Sequence, residues 1–483
     1  MVTVNVRLAS VVLDNFMNVV HGKLVLNSSE SMRDPSILGL FGQNGSGKTA
    51  LIRALVVLKA LLTEQPLQEE WCGYLNVEAE TARLQFEFHL CKNEESHEIV
   101  RVFYEVVLNR RKRGESSDVL IGEKTKAEVI GIQSEKLWLV SKPNESGEKK
   151  RKPAILMDTT NPTQILGQAA IDERLINISE EDRSDLMVAK KWAAEKRTSF
   201  VFSEGVHKVL DRKTQAEENG KFNSEVLFFL LILQRYGLSE LFVIESSESV
   251  LVNRNVLPMW LKMETSESHS GFHGLVLLPL DESFTAVPQL MTFIQETIGQ
   301  LNIVLTQLVP GLTIELKTLG SELGENGEKL ERAQLISLKN RRAIPLKYES
   351  DGIKKIIAVL HLLICVYNQR SITVAIDELD SGVFEYLLGE LLKILYEGGK
   401  GQLIFTSHNL RALETLDPAC VAFTTADPTN RYAGYQEDGE IVNLRDVYYR
   451  NLVLGADEAQ KLYNPTDNGR IAFAMRKAGI SHG

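Results

Sequence analysis

The sequence predicts an α/β fold built on a parallel, doubly wound sheet that a large insertion interrupts. Residues 36–41 form an apolar run typical of a buried strand, residues 42–47 are rich in glycine, and Lys48–Leu62 has the apolar spacing of a helix. Apolar strands and helices alternate again from residue 350 to residue 424. We therefore expect the two ends of this pattern to be halves of one sheet.

The glycine-rich segment carries a motif. It matches G-x-x-x-x-G-K-[ST] over eight residues, which are Gly42, Gln43, Asn44, Gly45, Ser46, Gly47, Lys48 and Thr49. Glycines let successive N–H groups converge on phosphate oxygens, and a helix that begins near Lys48 and continues through Ala50 adds the positive end of its dipole. Lys48 is placed for the β- and γ-phosphates of ATP, and the Thr49 hydroxyl for Mg²⁺. The motif predicts a P-loop NTPase.

A pair of acids follows a predicted strand in the second half of the pattern. The apolar run 371–376 ends in Asp377 and Glu378. Parallel sheets bind ligands at the carboxyl ends of their strands, so Asp377 is placed to hold the metal and Glu378 to act as general base on the attacking water. Two acids after a strand are commonly only a solvated loop, but together with the glycine motif they predict ATP hydrolysis.

Two more candidate sites come from the same alternating region. His408 follows the predicted strand 402–406, and we expect one of its ring nitrogens to donate to the γ-phosphate from the neighbouring strand. Ser350 and Gly352 open a predicted helix that runs to residue 366. For these two residues the sequence leaves two interpretations open, a helix N-cap or an anion site at a helix N-terminus.

The composition is that of an acidic protein of ordinary globular type. The chain has 483 residues, of which 44% are hydrophobic and 24% charged, with a formal net charge of −10. At ~100–200 residues per domain, this length allows about two to four domains. Proteins that wrap duplex DNA are usually basic, so any contact with nucleic acid must come from a local patch.

Cysteine usage and hydropathy predict a cytoplasmic protein with no membrane partner. The four cysteines are scattered, and no CxxC pair suggests a zinc or redox site. The amino-terminal residues alternate like a strand and do not resemble a signal peptide. The longest apolar stretch, 356–366, contains His361 and is too short to span a bilayer.

The order of these motifs resembles the head of an ABC-type ATPase. A strand carrying Asn15 and Phe16 comes first, followed by the glycine motif, the Ser350 helix start, the acid pair and His408. More narrowly, it is similar to SMC-like and OLD-like AAA family ATPases of bacterial phage-defence systems, in which a large insertion separates the P-loop from the signature. The signature here is degenerate, because Asp351 stands where a glycine is usual. The resemblance implies an α/β P-loop NTPase with an ABC/SMC-like ATPase head and a large mixed helical insertion.

The resemblance also implies a homodimer or higher homo-oligomer in which two heads sandwich ATP. Ser350 and Gly352 of one head would contact the γ-phosphate bound by the other. The D-loop at the interface would be Leu379, Asp380 and Ser381. Gln85 is the candidate for the Q-loop glutamine. The expected domains are a first half-head, an insertion, a second half-head and a tail, at 1–95, 96–309, 310–425 and 426–483.

The implied function is ATP-dependent dimerisation that gates a separate effector, such as a nuclease or a toxin, in antiphage defence. A DNA-repair or recombination ATPase that acts directly on nucleic acid is the alternative, and its support is two short basic runs, although such runs are usually solvated loops. The runs are Arg110, Arg111, Lys112 and Arg113, and Lys149, Lys150, Arg151 and Lys152. A slowly hydrolysing sensor is a third class, against which Glu378 and His408 argue.

Overall fold

The computed structural model of the protein describes residues 4–26, 36–91, 99–112, 128–140, 154–160, 179–216, 221–245, 256–263, 272–324, 327–340, 342–434, 444–445, 448 and 468–478. Its strands are β1 (Asn5–Phe16), β2 (Val19–Val25), β3 (Ser36–Phe41), β4 (Thr81–Cys91), β5 (Ile99–Lys112), β6 (Glu128–Val140), β7 (Ala154–Asp158), β8 (Leu241–Ile244), β9 (Val256–Met263), β10 (Phe272–Pro279), β11 (Phe284–Ala286), β12 (Leu312–Leu323), β13 (Lys329–Lys339), β14 (Arg342–Pro345), β15 (Thr373–Ile376), β16 (Gln402–Thr406), β17 (Val421–Thr424) and β18 (Tyr432–Gly434). Its α-helices are α1 (Lys48–Leu62), α2 (Glu180–Lys196), α3 (Glu204–Ala216), α4 (Lys221–Arg235), α5 (Pro288–Leu308), α6 (Asp351–Asn368), α7 (Glu385–Gly398), α8 (Ala412–Thr415) and α9 (Asn468–Ala478).

The centre of the molecule is a six-stranded sheet in the order β18-β17-β3-β16-β15-β8. The strands from β17 to β8 run parallel, and β18 pairs antiparallel at one edge. Leu38 and Leu40 of β3 pack in the core that contains α1, whereas Ile37 and Phe41 pack in the core that contains α6 and α7. Because both faces are covered, these strands are continuous apolar runs in the sequence. The predicted α/β class with a parallel sheet is confirmed.

The helix that follows the glycine motif lies between two sheets. A second, antiparallel sheet has the order β2-β1-β4-β5-β6-β7. Its inward side chains, such as Leu8, Phe86 and Val102, share one core with α1. Buried residues occur around the whole circumference of α1, including Leu51, Ile52 and the other apolar positions, as expected for a helix covered on all sides. This packing sets the position of the glycine motif relative to both sheets.

A third core connects α6 to the remaining strands. It contains α5, the hairpin of β9 and β10, and the sheet β11-β13-β12, with β14 beside β13. Leu301 and Leu305 of α5 belong to this core together with Ile357 and Leu360 of α6. Leu363 of α6 instead belongs to the core of the central sheet. One helix therefore joins this lobe to the central sheet.

The predicted domain limits cut across these sheets. β5, β6 and β7 come from the predicted insertion 96–309, yet they complete the antiparallel sheet begun by β1 and β4. β8 comes from the same segment and forms an edge of the central sheet, because it pairs in parallel with β15. The predicted tail 426–483 begins inside the central sheet, since β18 pairs with β17. Among the described helices, none has the length and apolarity needed to cross a membrane.

Candidate active site at the carboxyl ends of the central strands

The glycine motif connects β3 to α1. Its three glycines have positive φ angles, which are 153° at Gly42, 74° at Gly45 and 99° at Gly47. Residues with a side chain rarely adopt such angles. A Cβ at Gly42 would also lie 1.8 Å from Thr424 Oγ1. The motif therefore needs these glycines for its conformation and, at Gly42, for space. A loop of this kind that ends at a helix N-terminus suits the binding of phosphate.

Residues far away in the sequence support the loop. The Tyr432 hydroxyl donates at 2.9 Å to the carbonyl of the last loop glycine, and the Asn18 side-chain amide donates to the carbonyl of the middle one. Arg431 donates to Asn18 O at 2.8 Å. The Thr424 hydroxyl shares a hydrogen bond with Ser46 Oγ. The turn after β1 and the residues around β17 and β18 thus hold the loop in place, which the motif alone did not indicate.

Lys48 folds over the loop that precedes it. Its Nζ donates to Gly42 O at 2.7 Å and to Gln43 O at 2.9 Å. Burial lowers the pKa of Lys48, and three nearby carboxylates counteract this effect, namely Asp377, Glu378 and Asp380. The fold therefore brings Lys48 within interaction range of the predicted acid pair. Thr49 is half-buried and Ala50 is buried in the first turn of α1.

Asp377 lies at the carboxyl end of β15 and is buried. The Thr406 hydroxyl donates to Asp377 Oδ1 and so orients the carboxylate. The backbone N–H of Asp377 donates to Ile244 O, the last carbonyl of β8, at 2.8 Å. Because β15, β16 and β3 are parallel, Asp377 reaches the same edge of the sheet as the glycine loop. A carboxylate held in this way is suited to bind a metal ion beside a phosphate.

Glu378 has a backbone conformation that is rare for a residue with a side chain. Its φ is 49°, in the left-handed region, where such strain costs about 1–3 kcal/mol. Its N–H donates to Thr406 Oγ1 at 2.7 Å, so that one hydroxyl contacts both acids. The residue is half-buried, which leaves part of it exposed to water. Strained residues of this type concentrate at functional sites.

His408 lies at the same edge, just beyond β16. This strand pairs with both β3 and β15, and the histidine is exposed. The backbone N–H of His408 donates to Asp380 Oδ2 at 3.1 Å. The bond ties the residues after β16 to the turn after β15. Contact between the imidazole and a phosphate stays a prediction.

The amino terminus of α6 carries Ser350 and Gly352. The Ser350 hydroxyl accepts from the N–H of Ile353 at 3.4 Å and so caps the helix. Because the cap uses the hydroxyl as an acceptor, its hydrogen can still be donated to a ligand. A Cβ at Gly352 would approach Gly382 O to 2.4 Å. The helix start therefore packs closely against the turn that follows Glu378.

Gln85 lies elsewhere, and Glu245 lies near the acid pair. Gln85 is in the middle of β4 in the antiparallel sheet, where its side-chain oxygen accepts from Arg83 at 2.8 Å.

Glu245 directly follows β8, whose last carbonyl accepts from the N–H of Asp377. The Oε1 atom of Glu245 is 3.5 Å from Arg53 Nε. Glu245 is not evident from the sequence, because β8 is short and comes from a segment with weak periodicity. An acid directly after a short apolar run was the available signal.

The arginines of the first basic run bind carbonyls of the fold. Arg110 Nη2 donates to Leu75 O and Asn76 O, both at 3.1 Å. Arg111 Nη2 donates to Ile132 O. These guanidinium groups therefore serve internal contacts between segments of the chain. The other cations of the two basic runs lie outside the described part of the structure; they are Arg113, Lys149, Lys150, Arg151 and Lys152, together with the side chain of Lys112.

The donors at this edge suit Mg²⁺. This ion prefers hard oxygen ligands and usually takes one or two from protein side chains, with water and substrate phosphates as the others. Thr49 offers a hydroxyl, and Asp377 offers a carboxylate that Thr406 already orients. Within the described parts of the chain, no group of three or more His, Cys, Asp or Glu is arranged to hold a metal.

No protein-family model matches the chain, and no curated protein matches it. Among solved structures, it is similar to the Smc head domain with an extended coiled coil bound to the C-terminal domain of ScpA from Pyrococcus furiosus, at 11% identity over 89% of this chain and 96% of that chain, with a TM-score of 0.39. It is also similar to an SmcHead bound to the C-winged helix domain of ScpA, at 11% identity over 89% of this chain and 98% of that chain, with a TM-score of 0.38. A third similar structure is the SMC head domain from Thermotoga maritima, at 13% identity over 89% of this chain and 100% of that chain, with a TM-score of 0.34. The chemistry assigned to the site rests on its own residues and geometry.

Proposed function

We propose that the chain binds ATP with Mg²⁺ and hydrolyses it at this edge of the central sheet. The observation that carries the proposal is the meeting of Lys48 and the glycine loop with Asp377 and Glu378. Phosphoryl transfer requires an anion site, a metal ligand and a group that orients or deprotonates water. These residues supply all of them, from the ends of strands in one sheet.

In the proposed reaction, each residue has a separate role. Lys48 and the backbone N–H groups of the glycine loop hold the β- and γ-phosphates. The Thr49 hydroxyl and the Asp377 carboxylate would hold Mg²⁺, which would supply charge neutralisation at the phosphate oxygens. Glu378 accepts a proton from the water that attacks the γ-phosphorus, the bond to the bridging oxygen breaks, and ADP leaves with its electron pair. His408 donates to an oxygen of the γ-phosphate.

Hydrolysis should require Mg²⁺ and should depend on Asp377. We expect Asp377→Asn to raise the Mg²⁺ concentration for half-maximal hydrolysis by about tenfold or more, because a neutral amide oxygen is a weaker ligand than a carboxylate. This concentration is measured by following phosphate release at saturating ATP while Mg²⁺ is titrated. A sample treated with EDTA gives the rate without the metal.

The matched control is Asp158→Asn, which makes the same change in β7, where the carboxylate lies 3.4 Å from Lys136 Nζ. It should leave the Mg²⁺ dependence unchanged. Full hydrolysis in EDTA, or a wild-type Mg²⁺ dependence for Asp377→Asn, would contradict the proposed metal site.

We also propose that two copies of the chain close on ATP, as the resemblance to ABC/SMC-like heads implies. The start of α6 supports this, because the Ser350 hydroxyl keeps a hydrogen to donate and Gly352 follows it in the first turn of the helix. A helix N-terminus with these residues suits a phosphate that the second copy holds. Residues 379–381, which lie beside it, would be part of the same interface.

Ser350→Arg tests this dimer. We expect ATP binding close to wild type and hydrolysis about tenfold or more slower, because the guanidinium would fill the space beside the γ-phosphate of the second copy and displace a donor that acts on it. Mixing this variant with Lys48→Ala should restore part of the activity, since one site of the mixed dimer combines an intact loop with an intact Ser350. Steady-state phosphate release of each variant and of the mixture measures both effects.

Ser179→Arg is the matched control, because Ser179 caps α2 in the same way, with its hydroxyl accepting from Asp182 N–H at 3.1 Å. Both variants lose an N-cap, which costs about 0.5–2 kcal/mol, but only Ser350→Arg should slow hydrolysis. Wild-type hydrolysis by Ser350→Arg would mean that Ser350 is only a helix cap and that the ATP sandwich is wrong.

The cellular role that we propose is antiphage defence in the cytoplasm, where ATP-dependent dimerisation gates a separate effector such as a nuclease or a toxin. Its support is the order of motifs in the sequence and the family resemblance which that order carries. The neighbouring genes test it. An adjacent nuclease or toxin reading frame is expected, and adjacent transport genes would overturn the proposal.

A further inference from the structure

We propose that Lys355 positions Glu378 and thereby makes hydrolysis depend on where the start of α6 lies. This inference rests on the proposed function, since it assumes that Glu378 is the general base. Lys355 lies in the second turn of α6, and only 9% of its surface is exposed. Its Nζ donates to the backbone carbonyl of Glu378 at 2.8 Å. This hydrogen bond is to the backbone of Glu378 and not to its side chain. Lys355 would therefore act on the backbone conformation, which sets the direction of the Glu378 carboxylate.

The charges around Lys355 are those of the acidic turn. Burial lowers the pKa of Lys355, and the carboxylates of Asp380, Glu378 and Asp377 counteract that effect, in this order. Burying a lysine is costly unless it is paired and hydrogen-bonded. Here a backbone acceptor and three nearby anions offset part of that cost. The buried position of Lys355 is therefore favoured by the acceptor and the charges of this turn.

The backbone of Glu378 needs support on both sides. With φ at 49°, the residue holds a conformation that costs about 1–3 kcal/mol and persists only when its surroundings enforce it. On the amino side, Glu378 N–H donates to Thr406 Oγ1 at 2.7 Å. On the carboxyl side, the Glu378 carbonyl accepts from Lys355 Nζ and from the backbone N–H of Ser381 at 3.0 Å. Lys355 is the charged donor of the two and the one that comes from α6. Without it, the carbonyl keeps only the bond within its own turn, and we expect the direction of the Glu378 carboxylate to be less well fixed.

The contact also links Glu378 to the helix start. Gly352 and Gly382 pack so closely that a Cβ at Gly352 would lie 2.4 Å from Gly382 O. The start of α6 and the turn after Glu378 are thus in contact at two points, through Gly352 and through Lys355. A displacement of the start of α6 would change both contacts together. A second copy that engages Ser350 would therefore act on the general base through Lys355.

Lys355→Met tests the inference. We expect kcat for ATP to fall about tenfold to a hundredfold, because a misplacement of the reacting group by about 1 Å has an effect of that size. The Kd for ATP should stay within about twofold of wild type, since Lys355 is proposed to act through Glu378, whose carbonyl its Nζ binds. Lys355→Arg keeps a charged donor and should recover part of kcat. Steady-state phosphate release gives kcat, and titration with a fluorescent ATP analogue gives Kd.

Lys59→Met is the matched control. Lys59 is another lysine whose pKa burial lowers, to about 8, and its Nζ donates to Leu241 O at 2.8 Å. It makes the same type of bond, but in the last turn of α1 and without contact to Glu378. Lys59→Met should change the melting temperature about as much as Lys355→Met and should leave kcat near wild type. Equal losses of kcat in both variants would mean that Lys355 has only a structural role, and would overturn the inference.

Combination with Glu378→Gln separates the inference from the proposed function. In a Glu378→Gln background, Lys355→Met should cause no further loss of residual turnover, because it acts through the group already removed. A further loss equal to that in the wild-type background would overturn the inference. If Glu378→Gln alone hydrolyses ATP normally, the proposed function fails. If Glu378→Gln is inactive while Lys355→Met keeps wild-type kcat, only the positioning role fails. Should Lys355→Met not fold, the shorter, neutral Lys355→Gln replaces it with the same outcomes.

Discussion

Glu378→Gln is expected to keep ATP bound and to reduce turnover by about a hundredfold or more, within the range that general bases contribute. The amide has almost the shape of the carboxylate but cannot accept the proton of the attacking water. The backbone contacts with Thr406 and Lys355 do not involve the altered atoms, so the site should otherwise persist. ATP retained after rapid gel filtration, compared with steady-state phosphate release, measures binding and turnover on the same sample.

Glu105→Gln is the control for this change. Glu105 lies in β5, and its carboxylate accepts from Arg83 at 2.8 Å, so the substitution removes a charge in the antiparallel sheet and leaves the acid pair intact. It should hydrolyse ATP at the wild-type rate. Turnover near wild type in Glu378→Gln would mean that another group is the base, and the roles proposed for the acid pair would have to be reassigned.

The parts of the site that the sequence predicted are those encoded by contiguous residues. The glycine motif needs only a strand, a turn and a helix in succession, and β3 and α1 do follow one another in this way. Asp377 and Glu378 needed only a short apolar strand before them. Because parallel strands place their carboxyl ends at one edge, these local patterns were enough to expect the two segments to meet.

The parts that the sequence did not predict depend on contacts between distant residues. Tyr432 and Arg431, which are distant in the sequence, contact the glycine loop and the neighbouring β1–β2 turn. Thr406 joins the two acids through one hydroxyl, and Lys355 of α6 reaches the backbone carbonyl of Glu378. Neither the left-handed backbone of Glu378 nor any of these contacts has a periodic or local signature. They follow from the assembled sheet, and sequence spacing cannot indicate them.

The antiparallel strands show why charge runs predict function poorly. Arg110 and Arg111 form part of a basic run, but their guanidinium groups donate to carbonyls from other segments of the chain. A guanidinium has five donors in a planar fork, so it can serve several backbone acceptors at once. Sequence alone does not separate this use from phosphate binding. β8 presents a similar problem, since four apolar residues do not indicate which sheet they join.

Lys48→Ala is expected to weaken ATP binding by about a hundredfold or more, because the charged donor for the β- and γ-phosphates is lost. A second cause adds to this loss. Lys48 counterbalances the carboxylates that surround the site, which are Asp377, Glu378 and Asp380. Without the lysine, an incoming triphosphate meets these charges with less compensation. Titration with a fluorescent ATP analogue measures the affinity, and Lys59→Ala in the same helix is the control, which should bind ATP as the wild type does.

Thermal unfolding with and without ATP separates lost binding from lost folding. At an ATP concentration of 100 times the wild-type Kd, ligand binding stabilises the folded protein by about 2.7 kcal/mol, and a hundredfold weaker Kd reduces this to about 0.4 kcal/mol. Without ATP, Lys48→Ala should melt close to wild type, because the bonds that Lys48 makes to Gly42 O and Gln43 O are offset by the cost of burying its charge. If ATP raised the melting temperature of Lys48→Ala as much as it raises that of the wild type, this loop would be ruled out as the nucleotide site.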